Sequence, residues 1–189
     1  MTRKIVIGLA GMIASGKDTI ADYVVKKHDG QSVSFSQPLR DILNRVFLPI
    51  NRINLSKLAQ ILIDNFGGDI LSHTITEEIK ASPKQIFVLP NIRRDSDYVC
   101  MINEPDFDFY LVGLNTDSKI CFERLIKRGQ NVDDKSKTWN DFQKDLLLST
   151  EVEIANLVKK SSYQLDNNGN LETLYLQVDK LVNNLQKNK

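Results

Sequence analysis

Cysteine and histidine are scarce in this chain of 189 residues, which contains two of each. Cys100 and Cys121 lie far apart and outside any C-x-x-C pattern, so neither a disulfide framework nor a cysteine metal site is expected. His28 and His73 are too few for a histidine-rich metal site. The two thiols are therefore expected to be reduced and mostly buried, as in a cytoplasmic protein.

Long apolar runs and an excess of one charge are also missing. The longest apolar run near the N-terminus, 5–14, is too short for a membrane span, and it lacks the flanks of a signal peptide. Basic and acidic residues number 25 and 24, so the whole-chain charge does not favour nucleic acid or an anionic membrane as a partner. We predict one soluble domain, 1–189, in the cytoplasm, with no nucleic-acid or membrane partner.

What the chain does contain is an alternation of short apolar runs with helical periodicity. Strands are predicted at 4–9, 32–35, 85–89, 109–114 and 162–165. Helices are predicted at 17–28, 38–47, 55–66, 69–81, 95–102, 117–128, 138–160 and 171–185, with a polar loop at 130–137. This order predicts an α/β fold of three layers, in which a parallel sheet of about five strands carries helices on both faces.

A glycine-bracketed loop follows the first predicted strand. The stretch GMIASGK, 11–17, fits the first seven positions of the phosphate-binding pattern G-x-x-x-x-G-K-[ST], whereas the eighth position holds Asp18 and the hydroxyl comes at Thr19. Gly11 and Gly16 allow a tight backbone path, and Lys17 supplies a charge for phosphates. The backbone N–H groups that can converge on phosphate oxygens at the start of the next helix belong to Ala14, Ser15, Gly16, Lys17, Asp18 and Thr19.

Several arginines lie at positions that suit the binding of an anion. Arg124 and Arg128 are four residues apart on one predicted helix, just before the polar loop, where they suit either a transferring phosphoryl group or a solvated helix end. Arg93 and Arg94 precede a predicted helix N-terminus, where cations are unfavourable, so an anionic partner is favoured over a plain surface pair. Arg40 suits a substrate contact and a solvated helix equally well.

The spacing GKDT, 16–19, resembles the P-loop nucleoside and nucleotide kinases, among them deoxynucleoside monophosphate kinases, dephospho-CoA kinases and adenylate kinases. Four later stretches resemble segments of the same group in the same order: SFSQPLRDIL at 34–43, IRRDSDY at 92–98, ERLIKRG at 123–129 and DNNGNLETL at 166–174. The resemblance therefore extends over the whole chain.

The resemblance implies a P-loop kinase fold with an acceptor-binding helical lobe at about 37–80 and a small lid at about 129–145. It implies ATP and Mg²⁺ as cofactors and a small-molecule nucleotide as substrate, in a monomer or homodimer. The residues it implies for catalysis are Lys17, Arg93, Arg124 and Arg128. For acceptor binding they are Arg40, Arg93 and Arg94, and Asn168 and Gly169 would border the adenine.

Two departures from the family pattern bear on the chemistry. Pro90 and Asn91 stand where relatives commonly carry an acid that organises Mg²⁺, so the metal is expected to be held through water near Asp18 and Thr19. No carboxylate follows the second strand, at 35–38, to take a proton from a hydroxyl acceptor. The sequence thus predicts a phosphate acceptor, first of all a nucleoside or deoxynucleoside monophosphate.

Two alternatives stay open at this point. One is a small-molecule kinase similar to dephospho-CoA kinase. The other is a nucleotide-binding regulatory protein whose kinase activity has decayed, for which Pro90 is the main indication.

Overall fold

A parallel sheet of five strands forms the centre of the protein. The computed structural model describes residues 3–129 and 134–187. Its strands are β1 (Lys4–Ala10), β2 (Gln31–Ser32), β3 (Ile86–Leu89), β4 (Phe107–Asn115) and β5 (Tyr163–Asp166), and the order across the sheet is β2-β3-β1-β4-β5. All four pairings are parallel. The predicted fold class is confirmed.

Nine α-helices surround the sheet in the described part of the chain. They are α1 (Lys17–Lys27), α2 (Ser36–Arg45), α3 (Arg52–Phe66), α4 (Ile70–Ala81), α5 (Val99–Ile102), α6 (Ser118–Arg128), α7 (Trp139–Asp145), α8 (Ser149–Lys160) and α9 (Leu171–Lys187). Short 3₁₀ turns lie at Asp95–Asp97 and Asp134–Ser136. None of the helices described has the length and apolarity that crossing a membrane requires.

β1 separates two apolar cores, which is why its sequence is apolar at almost every position. Alternate side chains point to opposite faces of a strand. Ile5, Ile7 and Leu9 pack in the core beneath α1 and α9, whereas Val6 and Ala10 pack in the core beneath α4 and α8. Helices therefore cover both faces of the sheet, as the three-layer prediction requires.

One predicted helix is wrong in its extent. The pattern at 138–160 predicts a continuous helix, but the structure contains α7 and α8, with the break at Leu146–Leu148. Thr138 and Asp141 form the capping box that begins α7. Leu148 has an extended conformation (φ −64°, ψ 144°) before α8 begins. The break changes the direction of the chain and decides what the first turn of α8 faces.

Smaller differences concern the ends of elements. β2 covers only Gln31–Ser32 instead of 32–35, because the chain turns into α2 at Ser36, two residues before Pro38. α4 begins at Ile70, one residue after the predicted start, and the side chain of Asp69 makes no capping hydrogen bond. α3, in the predicted acceptor-binding lobe, buries none of its side chains. That this lobe binds an acceptor stays a prediction.

Candidate active site

A cavity of about 990 Å³ opens beside the carboxyl end of β1. In open parallel sheets, ligands bind at this edge. Its walls come from the loop after β1, the first residue of α3, the loop after β3, the last turns of α6, the first turns of α8, and the segment that joins β5 to α9. The volume lies at the upper end of the range for small-molecule sites, so there is room for two ligands side by side.

The loop after β1 has the geometry of an anion-binding loop. Ala14 and Gly16 have positive φ angles of 59° and 104°. Gly16 directly precedes α1, and no side chain caps this helix end. The first N–H groups of a helix have no partner within it, so those of α1 are directed toward the cavity. A Cβ atom at Gly16 would collide with Nδ2 of Asn167, which explains the need for glycine here.

Lys17 lies across this loop. Its Nζ atom donates hydrogen bonds to the carbonyl oxygens of Gly11, at 2.7 Å, and Met12, at 2.8 Å. Burial lowers the pKa of Lys17 to about 8, although the nearby carboxylates of Asp18 and Glu151 act in the opposite direction. A phosphate anion in the cavity would favour the charged amine, so Lys17 is suited to bind one.

Two residues that directly follow β4 and β5 hold the loop in position. Asn167, which is buried, donates from Nδ2 to the carbonyl oxygen of Ser15 at 2.6 Å. Thr116, also buried, donates from Oγ1 to the same oxygen at 3.2 Å. The ends of β4 and β5 therefore fix the position of the phosphate-binding loop. Asn167 also lines the cavity, and the sequence analysis does not identify it.

α6 contributes cations to the wall of the cavity. Arg124, Lys127 and Arg128 line the cavity. Arg124 donates from Nη2 to the carbonyl oxygen of Asn167 at 3.1 Å, while its Nη1 is buried and has no hydrogen-bond partner within the described residues. Burying an unpaired donor is costly, so a ligand acceptor near Nη1 would be favourable. The structure thus brings both predicted arginines of α6 to the site.

The loop after β3 and the start of α3 add two more arginines, Arg93 and Arg52. Asp97 orders this loop, since its Oδ2 accepts hydrogen bonds from the backbone N–H groups of Arg93, at 2.7 Å, and Arg94, at 3.0 Å. The two arginines then diverge: Arg93 lines the cavity, whereas Arg94 lies 3.8 Å from the carboxylate of Glu153.

Glu151, in the first turn of α8, is a carboxylate in the cavity wall that the sequence analysis does not identify. Burial raises its pKa, while Lys17 and Arg93 act to lower it. Oε2 is inaccessible to solvent and has no hydrogen-bond partner in the described part of the chain. The one local indication in the sequence is Ser149-Thr150-Glu151, a run typical of a helix start.

Five residues of the predicted site do not line the cavity. Ser15 is buried beneath the loop. Asn168 accepts a hydrogen bond from the backbone N–H of Asp117 at 2.7 Å. The others are Arg40, Arg94 and Gly169.

Within the predicted lid, residues 130–133 lie outside the described part of the chain. Trp139, at the start of α7, packs against Phe122 and Phe142.

The balance of charge in the cavity is strongly positive. Six cationic side chains line it, against the two carboxylates of Asp18 and Glu151. No group of three or more histidine, cysteine, aspartate or glutamate residues that could hold a metal ion occurs in 3–129 or 134–187. The site is therefore suited to anions, because a phosphate-binding loop and several arginines line the same cavity.

Comparisons with known proteins agree with this geometry. No protein-family model matches the sequence. The chain is 26% identical over 183 residues to a UPF0200 protein of Thermococcus kodakarensis, covering 95% of this chain and 97% of the relative. It is 26% identical over 205 residues to a dephospho-CoA kinase of Trichormus variabilis, covering 97% and 98%.

Among solved structures, a dephospho-CoA kinase from Campylobacter jejuni superposes with a TM-score of 0.58 and 14% identity, covering 97% of this chain and 98% of that one. This likeness concerns the fold, and the relatives above extend it to sequence over nearly the full length. Together with the phosphate-binding loop and the cation-rich cavity, they show that the chain is similar to P-loop kinases in sequence and in fold.

Proposed function

We propose that the protein transfers the γ-phosphoryl group of ATP to a small acceptor that carries phosphate. The observation that supports this most directly is the single cavity that joins the loop of Lys17 to the arginines of α6, α3 and the loop after β3. Phosphoryl transfer is catalysed mainly by positioning and by electrostatic stabilisation of charge on the equatorial oxygens. The cations that line this one cavity can position the phosphates and stabilise the charge on the transferring group.

ATP would bind with its phosphates on the loop between Gly11 and Thr19. The N–H groups at the start of α1 face them, and Lys17 is within reach through its position across the loop. On the side of α6, Arg124 and Arg128 would contact the transferring group. The predicted lid at about 129–145 would exclude water when it closes.

Mg²⁺ would be carried by the ATP phosphates, where it neutralises charge as the bond to the leaving group breaks. Asp18 and Thr19 line the cavity beside Lys17. A carboxylate and a hydroxyl suit the water shell of this ion, which keeps several of its waters in proteins. The described residues thus fit a metal held through water, without a dedicated cluster of ligands.

Two acceptors fit the opposite side of the cavity. A nucleoside or deoxynucleoside monophosphate needs cations that offset the approach of two anions, and Arg93 and Arg52 lie there. A dephospho-CoA-like acceptor also carries phosphate but reacts through a hydroxyl. The relative of that name supports the second acceptor, and so does the carboxylate of Glu151 in the cavity.

A coupled assay of ADP formation tests the proposal. Nucleoside monophosphates, nucleosides and dephospho-CoA are compared, each with ATP and Mg²⁺, and ATP and ADP binding is measured by calorimetry. We expect nucleotide binding with at least micromolar affinity and transfer to one class of phosphate-bearing acceptor. Nucleotide binding without transfer to any acceptor would favour a regulatory protein with decayed kinase activity. Absence of binding would contradict the proposal.

Asn167→Ala is expected to weaken ADP binding by about tenfold, because the variant loses the hydrogen bond that holds the carbonyl of Ser15 and hence the loop, worth about 1–1.5 kcal/mol. Calorimetric titration with ADP measures the effect. Asn168→Ala, one residue further along and outside the cavity, is the matched control and should bind ADP as the wild type does. A larger loss in Asn168→Ala would instead support the predicted contact of Asn168 with the adenine.

A further inference from the structure

We infer that Glu151 is a catalytic residue that takes the proton of the acceptor, and that the acceptor oxygen therefore belongs to a hydroxyl group. This inference rests on the proposed function and goes beyond it, since it chooses between the two acceptor classes. It also replaces the expectation, drawn from residues 35–38, that the chain offers no base.

The position of Glu151 supports this role. The first turn of α8 places its side chain in the wall of the cavity, in the electrostatic range of Lys17 on the donor side and Arg93 on the acceptor side. The loops that carry Lys17 and Arg93 are neighbours, since the backbone N–H of Ile92 donates to the carbonyl oxygen of Leu9, so Glu151 faces the region where the donor phosphates and the acceptor would meet. The other carboxylate of the described cavity wall, Asp18, lies on the donor side, beside Lys17.

The burial of Glu151 argues against a purely structural role. Its Oε2 is closed off from solvent and accepts no hydrogen bond from the described residues. A buried acceptor without a partner costs about 1–3 kcal/mol, and more when it is charged. Stability alone would favour an apolar or a hydrogen-bonded side chain at this position. A hydroxyl of a substrate in the cavity that donates to this carboxylate would offset that cost during the reaction.

The step balances without any further reactant. The acceptor oxygen forms a bond to the γ-phosphorus of ATP as the bond from that phosphorus to the bridging oxygen of ADP breaks. The hydroxyl proton passes to the carboxylate of Glu151, and the acceptor becomes a phosphate ester. The protonated Glu151 later releases the proton to solvent.

The pH dependence follows from the groups around Glu151. Burial raises its pKa, Lys17 from α1 and Arg93 from the loop after β3 lower it, and Asp145 from α7 raises it. A base must be ionised to accept a proton, so the rate should increase as the pH increases through the pKa of Glu151 and then level off. The amide of a glutamine at this position does not ionise, so the rate of such a variant should lack this rise with pH.

The experiment compares the wild type with Glu151→Gln. The variant is expected to lower kcat by on the order of 100-fold with a hydroxyl acceptor and to lose the rise of rate with pH, while its ADP affinity and Tm stay close to the wild type. Glu172→Gln is the matched control, because Glu172 is also the acid in the first turn of a helix, but it is exposed and outside the cavity. It should retain the wild-type rate and pH profile.

Three outcomes separate the inference from the proposed function. An unchanged kcat and pH profile in Glu151→Gln would overturn the inference alone. Transfer by the wild type only to the phosphate of monophosphates would also overturn it, yet would support the proposed function. If no acceptor of the panel reacts, slow hydrolysis of ATP provides the same test, since water then takes the place of the hydroxyl. Equal hydrolysis by the two proteins would contradict the role of Glu151.

Discussion

Lys17→Ala is expected to lower kcat by on the order of 10³-fold while the protein stays folded. The amine is the cation that lies across the phosphate-binding loop, and its bonds go to the carbonyl oxygens of Gly11 and Met12. In the proposed reaction this charge would stabilise the oxygens of the transferring group in the transition state. ADP formation with the best acceptor of the panel measures the loss.

The fold should tolerate this change because the buried charge of Lys17 is unfavourable in the folded protein. Burial lowers its pKa to about 8, which means that the folded protein disfavours the charge in the absence of an anion. Thermal unfolding should therefore show a Tm within a few degrees of the wild type. Lys27→Ala, at the exposed end of the same helix, is the control and should keep the full rate. Retention of kcat in Lys17→Ala would refute the assignment of the donor site.

The second large effect is expected for Arg93→Ala, which should raise the KM for the acceptor on the order of 100-fold and leave ADP affinity almost unchanged. Arg93 lines the same cavity as the phosphate-binding loop but comes from the separate loop after β3, which we propose to hold the acceptor. Losing a hydrogen bond to a charged group costs about 1.5–3 kcal/mol, and each 1.4 kcal/mol corresponds to a factor of ten in affinity. Steady-state kinetics at saturating ATP measure the change.

Arg94→Ala is the matched control for this variant. Its guanidinium lies outside the cavity and near Glu153, in a pair that is exposed on both sides, and such pairs contribute little. The KM of this variant should stay close to that of the wild type, since Arg94 does not line the cavity. Equal losses in the two variants would mean that both arginines contact the acceptor, as the sequence predicts.

The sequence by itself determined the fold class and the donor loop. Both follow from local patterns: apolar runs of strand length that alternate with helical periodicity, and glycines at fixed positions before a lysine. Such patterns predict the same local structure in any fold, because the first backbone N–H groups of a helix always lack a partner within the helix. Gly16, Lys17 and the two arginines of α6 are accordingly found where the sequence places them.

Tertiary structure alone decided which neighbouring residues face the cavity. Asn167 lines it and Asn168 does not, although they are adjacent and chemically identical, because the backbone of Asn167 pairs with Asn115 at the end of the sheet. Arg93 and Arg94 separate in the same way, through the hydrogen bonds of Asp97. Adjacent side chains point in different directions, and their directions depend on contacts far away in the chain.

The position of Glu151 also depends on tertiary structure, here on where a whole helix begins. As part of one continuous helix from 138 to 160 it would be an ordinary acid in the middle of a helix. The break at Leu146–Leu148 makes it part of a first turn, and the packing of α8 over the sheet brings that turn to the cavity. Local propensity does not specify where a helix stops when its sequence could continue, because the packing of its apolar face contributes more than propensity does. The sequence thus determined that the protein has a phosphate-binding loop in an α/β fold, and the packing of α8 determined that a carboxylate faces it.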